Sequence, residues 1–207
     1  MGILNHAADR KETLLFNFYQ MGADAVNKEG EDVVYAYVIP KEQHDKGEAR
    51  NLVNILLQGG VEIHQATGKI KYKDKEYPAG SFVAFGSQPF RPFLQDLMEK
   101  QEYPDQYQYP GGPPVPPYDL AGWTLPMQMG IDIVRVKEEI KIKAKPIENS
   151  SPEAGEVKGK ASFGYLLTTN ENNSFTAINR LQKANVEIYR ITASAQFDKD
   201  VYQPGSF

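Results

Sequence analysis

Three histidines, His6, His44 and His64, and the absence of cysteine limit the chemistry open to this chain. None of the histidines stands in a His-x-x-Glu, His-x-His or His-Glu-x-x-His arrangement, the spacings that bring two ligands onto one face around zinc. Each reads as an isolated imidazole, near the N-terminus, in a loop ahead of a helix and on a strand respectively. Without cysteine there is no thiol nucleophile, thiolate metal site or disulfide. Neither Ser81 nor Ser87 lies in a Gly-x-Ser-x-Gly turn. Gly59-Gly60 and Gly111-Gly112 lack the Gly-x-Gly-x-x-Gly spacing and a Walker-type lysine, so no phosphate cradle is encoded. The carboxylates are scattered and offer no acid–base pair. A hydrolase acting in its own right would need a nucleophile–base pair that these residues do not display.

The stretch most suited to binding is an aromatic–proline run within residues 102–131. Tyr103, Tyr107, Tyr109, Tyr118 and Trp123 alternate there with Pro104, Pro110, Pro113, Pro114, Pro116 and Pro117. Proline removes backbone donors and fixes φ, so the run excludes a helix or a central strand and predicts a polyproline-like loop. Rings held on a stiff backbone suit stacking on a sugar or a peptide. The candidate binding residues are therefore Tyr107, Tyr109, Tyr118 and Trp123, with Arg91 and Asp119 as polar handles. The competing use of the same rings is to plug a sheet edge or to pack on a neighbouring domain.

The elements that must position this loop are duplicated. Asn51-Leu-Val-Asn-Ile-Leu-Leu-Gln-Gly-Gly-Val-Glu-Ile-His-Gln65 and Thr176-Ala-Ile-Asn-Arg-Leu-Gln-Lys-Ala-Asn-Val-Glu-Ile-Tyr-Arg190 align at an offset of 125, without a gap from position 49 onward. Both copies close on Gly-Ser-Phe. A period of this kind marks a repeated folding unit. In the first copy, residues 33–39 predict a strand buried on both faces. Asp45 with Glu48 predicts a capping box ahead of a helix with an Ala49, Leu52, Val53, Leu56 stripe. Gly59-Gly60 ends that helix, and Ala184-Asn185 replaces it in the second copy, where Asn is the next-best residue for positive φ. Val61–Ala66 is the next strand, so a right-handed parallel β-α-β unit is expected. A hairpin is expected between Ile70–Tyr77 and Ser81–Phe85.

The full expectation is an α/β fold with a mixed, partly parallel sheet flanked by helices, built from a duplicated β-α-β-plus-hairpin unit. Residues 1–30 form a linking helix, in which Asp9 and Glu12 suit a capping box. Residues 31–144 are the first repeat, 145–160 a linker, and 161–207 a second, truncated repeat. The start at Met1-Gly2 and the stop at Phe207 in mid-strand read as a fragment of a longer protein. The net charge of −4 and the lack of a basic stripe argue against nucleic acid. No apolar run is long enough to span a bilayer, and the N-terminus has no signal-peptide pattern.

Tyr37-Val-Ile-Pro40, Tyr77-Pro-Ala-Gly80, Gln88-Pro-Phe-Arg-Pro-Phe93, Tyr109-Pro-Gly-Gly-Pro-Pro114 and Ala121-Gly-Trp-Thr-Leu-Pro-Met-Gln-Met-Gly130 occur in this order. Together they resemble the region downstream of the peptidase domain in large bacterial zinc-carboxypeptidase-like proteins. Asn17-Phe-Tyr-Gln-Met-Gly22 resembles the helix that links the two. The resemblance implies a flavodoxin-like or amidotransferase-like architecture. It implies no cofactor in this chain, with zinc only in an upstream peptidase domain, because the family's His-x-x-Glu pair and later histidine have no counterpart here. It also implies export to the periplasm or beyond. The function expected is a non-catalytic accessory region whose partner is the peptidase domain of the same protein. The alternative is an autonomous peptide- or glycan-binding module using the aromatic–proline loop.

Overall fold

The computed structural model describes the chain apart from residues 1, 31–32, 102–103, 117–122, 153 and 198–199. Two helices, α1 (Gly2–Asp9) and α2 (Lys11–Val26), lead in. α2 starts after Arg10 without a side-chain cap, so the capping box expected of Asp9 and Glu12 does not form. Strand β1 (Ala36–Ile39), helix α3 (Lys46–Gln58) and strand β2 (Ile63–Ala66) follow. Next come the short strands β3 (Ile70–Tyr72) and β4 (Lys75–Tyr77), strand β5 (Phe82–Phe85), and helices α4 (Arg91–Met98) and α5 (Leu125–Met129). β6 (Val134–Val136) and β7 (Ala144–Ile147) complete the first unit. The second holds α6 (Asn172–Lys183), β8 (Ala195–Phe197) and β9 (Asp200–Tyr202).

The mixed α/β character is as expected, but the sheet is not partly parallel. Its order is β6-β1-β5-β2-β7, and each neighbouring pair is antiparallel. β1 and β2 do run the same way, since both oppose β5. β5 separates them, however, so the expected parallel β-α-β pair is split. A parallel partner needs a crossover back to the starting end of the sheet, usually through a helix. After β2 the chain returns through a hairpin instead, and Gly80, at φ 93°, turns it into the gap between β1 and β2. A flavodoxin-like or amidotransferase-like parallel sheet is therefore ruled out.

Two further expectations change. Ile70–Tyr72 pairs with Lys75–Tyr77 across a turn in which Lys73 takes φ 52°, and Phe82–Phe85 joins the main sheet rather than this hairpin. The linker expected to start at Lys145 starts later, because Ala144–Ile147 pairs with β2 as an outer strand. Pro146 is tolerated there because an edge strand has one side free of ladder bonds.

Side-chain alternation along the strands builds two apolar layers. On one face Tyr37, Ile39, Ile63, Phe82 and Ala84 pack with Leu52, Val53 and Leu56 of α3 and Leu94 and Met98 of α4. On the other, Ala36, Val38, Val83 and Val136 meet Ile70 and Tyr72 of the hairpin. β1 is thus buried on both sides, which its unbroken apolar sequence requires. At the end of α3, Gly60 has φ 86°, and the Phe90 and Phe93 rings lie over the Gly59-Gly60 corner.

The second unit repeats the local geometry at the helix stop and at the hairpin corner. Val61 N–H donates to the Leu56 carbonyl at 3.0 Å, and Val186 N–H to the Leu181 carbonyl at 3.1 Å. Gly80 N–H donates to Ala66 at 2.8 Å, and Gly205 N–H to Ile191 at 2.9 Å. Asn185 takes φ 57° where Gly60 stands, and β8 and β9 fall where β3 and β4 predict them. Ile39 pairs with Phe82, and Leu167 exchanges two backbone bonds with Phe207, at 2.6 and 3.0 Å.

The units meet at Asp45 and Glu48, both of which bond Asn172. Asp45 Oδ1 accepts from Glu48 N–H at 3.0 Å, capping α3, while Oδ2 accepts from Asn172 N–H at 2.8 Å at the start of α6. The Glu48 carboxylate accepts from the Asn51 and Asn172 amides rather than closing the expected capping box. One buried aspartate therefore serves the orphan N–H groups of two helices.

Candidate functional site

The aromatic–proline loop is more ordered than its composition predicts. Gln108 N–H donates to Pro113 at 3.1 Å, Val115 N–H to Gln106 at 2.7 Å and Gly112 N–H to Tyr109 at 2.8 Å. These bonds fold residues 106–115 into a tight hairpin-like turn with a single bridge, Tyr107 to Pro114. The Tyr109 ring lies directly over Gly112, where a Cβ would stand 2.8 Å from it. Tyr107, Tyr109 and Trp123 are all exposed. Tyr118 and Asp119 lie outside the described residues.

Arg91 is at the first position of α4 and only 5% exposed. Its Nε has no hydrogen-bond partner among the described residues, and burial pulls its pKa down. Beside it, the buried Tyr37 hydroxyl donates to the Glu99 carboxylate. The same carboxylate is ion-paired with Arg135 at 3.0 Å. Burial first, and then the Glu99 hydrogen bond, push the Tyr37 pKa well above the ordinary tyrosine range. A phenol held protonated in this way is a hydrogen-bond donor and not a base.

This cluster is tied to the start of α5. The Thr124 hydroxyl donates to the Glu99 carbonyl at 2.8 Å instead of capping α5. Thr124 adopts φ 58°, ψ 52°, a conformation that costs a β-branched residue roughly 1–3 kcal/mol. Together with the Gln128 amide, which donates to the Trp123 carbonyl at 2.6 Å, this bond sets the backbone next to the Trp123 ring.

A separate cleft of about 120 Å³ opens by the first turns of α3, lined by Pro40, Lys41, Lys46, Ala49, Arg50, Gln65, Gly80 and Phe82. Arg50 donates to the Ser151 carbonyl at 2.9 Å and to Ser150 Oγ at 3.3 Å, and its guanidinium lies 6.0 Å from the Phe82 ring centre.

Sequence reasoning singled out Arg91 and the rings but missed Tyr37, Glu99 and Arg135. Tyr37 and Glu99 are 62 residues apart, and no local pattern could have joined them. Among the described residues no three His, Asp or Glu side chains converge as a metal site would require, and no helix is long and apolar enough to cross a membrane. No family model, curated protein or solved structure matches the chain.

Proposed function

We propose that this chain is a non-catalytic accessory region of an exported bacterial zinc-carboxypeptidase-like protein, packing on a peptidase domain of the same protein. One observation carries the reading: among the described residues, the apolar side chains over the first three turns of α2 are left exposed. Leu14, Leu15, Phe16, Phe18, Tyr19 and Met21 are all exposed, Phe18 by 77%, and Ala25 is the helix's one buried residue. These positions form a broad apolar face opposite Asn17, Gln20 and Asp24, and an exposed apolar face of this width is one that another body covers. It is also the stretch that resembles the family's linking helix. The C-terminal end of α2 is docked, with Ser87 Oγ donating to the Val26 carbonyl at 2.9 Å. The covering body belongs, on this reading, to the N-terminal side. Zinc and the chemistry of hydrolysis lie with that peptidase domain.

The test is co-purification of the chain with the peptidase domain encoded upstream of it. A Phe18→Glu, Leu15→Glu pair is expected to abolish the complex and leave the thermal midpoint of the isolated chain unchanged. An open reading frame with no His-x-x-Glu and later histidine before this segment sinks the reading.

A second reading rests on the exposed Tyr107, Tyr109 and Trp123 rings. These suit an autonomous module that binds a peptide or glycan by stacking. Binding of oligosaccharide or peptide pools that is lost in Trp123→Ala supports it. Equal retention of wild type and Trp123→Ala on every pool removes it.

A further inference from the structure

The cleft beside the first turns of α3 is lined by positive charge and by no carboxylate. Separate segments converge on it: Lys41 after β1, Lys46 and Arg50 on α3, Gln65 on β2, and Gly80 and Phe82 at the entry to β5. Among the described residues neither the Lys41 nor the Lys46 ammonium has an ion-pair or hydrogen-bond partner. The carboxylates nearest to them in sequence, Glu42, Asp45 and Glu48, do not line the cleft. Asp45 is engaged as the cap of α3 and α6, and Glu48 accepts from Asn51 and Asn172. Arg50 is held by Ser150 and Ser151 and lies against Phe82, so it forms a fixed wall.

Helix stability does not call for these charges. The macrodipole disfavours a cation in the first turn of a helix and favours one in the last. Lys46 is nevertheless the first residue of α3, whose last turn holds no basic residue. Its counterpart α6 follows the ordinary rule, with Arg180 and Lys183 in the last turn. The repeated unit does not require Arg50 either, because Phe175 stands at that position in the second copy. The Lys41 stem is placed by the hairpin corner. A Cβ on Gly80 would stand 3.1 Å from Lys41 Cδ, and the Lys41 N–H donates to Ser81 Oγ at 3.0 Å. Two accessible ammonium groups thus stand beside the Phe82 ring, a setting that suits an anion carrying an apolar group.

We infer that this cleft binds the phosphoryl group of a small phosphate monoester: Lys41 and Lys46 hold the dianion, and Phe82 underlies its organic part. Such an ester carries nearly two negative charges at neutral pH, matching two unpaired ammonium groups, whereas a carboxylate carries one. Lysine serves a phosphoryl group as a point charge whose three donors rotate to meet its oxygens. A cleft of about 120 Å³ takes a small group and not the drug-sized ligand that fills about 300–1,000 Å³. Both ammonium groups are exposed, so salt weakens the attraction. The inference does not depend on the peptidase reading or on the aromatic–proline loop, since no residue of α2 or of 102–131 lines the cleft.

The probe is phenyl phosphate, titrated at low salt into the intact, isotope-labelled chain at about pH 7.5, above the ester's second pKa of about 6. Inorganic phosphate and benzoate are titrated in parallel, and the backbone amide signals are followed. Phenyl phosphate is expected to shift the amides of Lys41, Lys46, Ala49 and Gly80 saturably. Inorganic phosphate, which lacks the ring, and benzoate, which lacks the second charge, are each expected to bind at least about threefold more weakly. Lys41→Gln and Lys46→Gln are each expected to weaken phenyl phosphate by about threefold, and the pair by about tenfold, with the thermal midpoint unchanged. A remote pair, Lys158→Gln with Lys160→Gln, is expected to leave the affinity as it is. The absence of a saturable shift at these amides overturns the inference, as does wild-type affinity in the Lys41→Gln, Lys46→Gln pair. Equal weakening by the remote pair also overturns it, since the attraction would then be diffuse. Benzoate bound as tightly as phenyl phosphate overturns the dianion assignment, and inorganic phosphate bound as tightly overturns the ester assignment.

Discussion

The two units share a local plan and differ in how much of it they bury. Both end their helix with a residue at positive φ, both turn the same hairpin, and both begin the ladder that joins the first strand to the Gly-Ser-Phe segment. In the first, β5 completes two ladders at once and closes both apolar layers, whereas the second copy reaches only Phe207, the counterpart of Phe82. Turns and helix ends are decided within about four or five residues, where the orphan groups and the positive-φ residue lie. A core is decided by surfaces that meet from distant parts of the chain.

The widest contrast is expected in paired truncations. Leu56→Ala removes a fully buried side chain of the first core and is expected to cost about 2–5 kcal/mol in urea unfolding. Leu181→Ala, its counterpart, is expected to stay within about 0.5 kcal/mol. Similar losses at both sites would show that the second unit has a core of its own.

The tyrosines give the next largest difference. Tyr37→Phe leaves Glu99 with Arg135 alone and is expected to cost about 1–3 kcal/mol at neutral pH, whereas Tyr165→Phe, at an exposed site, is expected to cost less than about 0.5 kcal/mol. Alkaline titration sharpens this. The Tyr37 pKa is raised in the folded state, so the folded chain holds that proton more tightly than the unfolded one. Its contribution is fully present below the unfolded tyrosine value of about 10 and is lost as pH rises beyond it. Tyr35, raised by burial and by Glu139, acts with the same sign. Stability measured at about pH 9 and about pH 11 should therefore fall, and Tyr37→Phe should reduce the slope without abolishing it. An unchanged slope would detach the effect from this hydroxyl.

The junction between the units comes third. Asp45→Ala strips a cap from α3 and an acceptor from α6 and is expected to cost about 1–2 kcal/mol, while Asp45→Asn, which keeps a side-chain acceptor, should lose less. Exchange at the start of α6 should rise together with that at the start of α3. If only α3 responds, the shared cap does not couple the units. The smallest effect is expected at the helix stop, where Asn185→Gly gives the second unit the first unit's residue and should shift stability by less than about 0.5 kcal/mol.

What could be read beforehand follows the same division of scale. The Asp45 cap, the αL stop at Gly60 and Asn185, the doubly buried β1 and the repeat itself were legible, because each is set by neighbours in sequence. The position of β5 was not. A stretch reading Ser-Phe-Val-Ala-Phe completes a local hairpin or a central strand equally well, and Ile70–Tyr77 supplied a partner with a suitable pattern. The hairpin closed on itself at Lys73, which released β5 to satisfy two edges at once. Of the candidate site, Tyr107, Tyr109 and Trp123 are exposed, while Arg91 is buried beside Tyr37.

By itself, the order of residues determined the local elements, their caps and stops, the duplication, and the lack of cysteine chemistry. The tertiary structure alone decided that β1 and β2 are split by an antiparallel strand and that Tyr37, Glu99 and Arg135 form one network. The reason is physical: hydrogen bonds within a turn are chosen by a few adjacent dihedrals, whereas strand order and buried charge pairs are chosen by which distant surfaces leave the fewest unpaired groups and the least exposed apolar area.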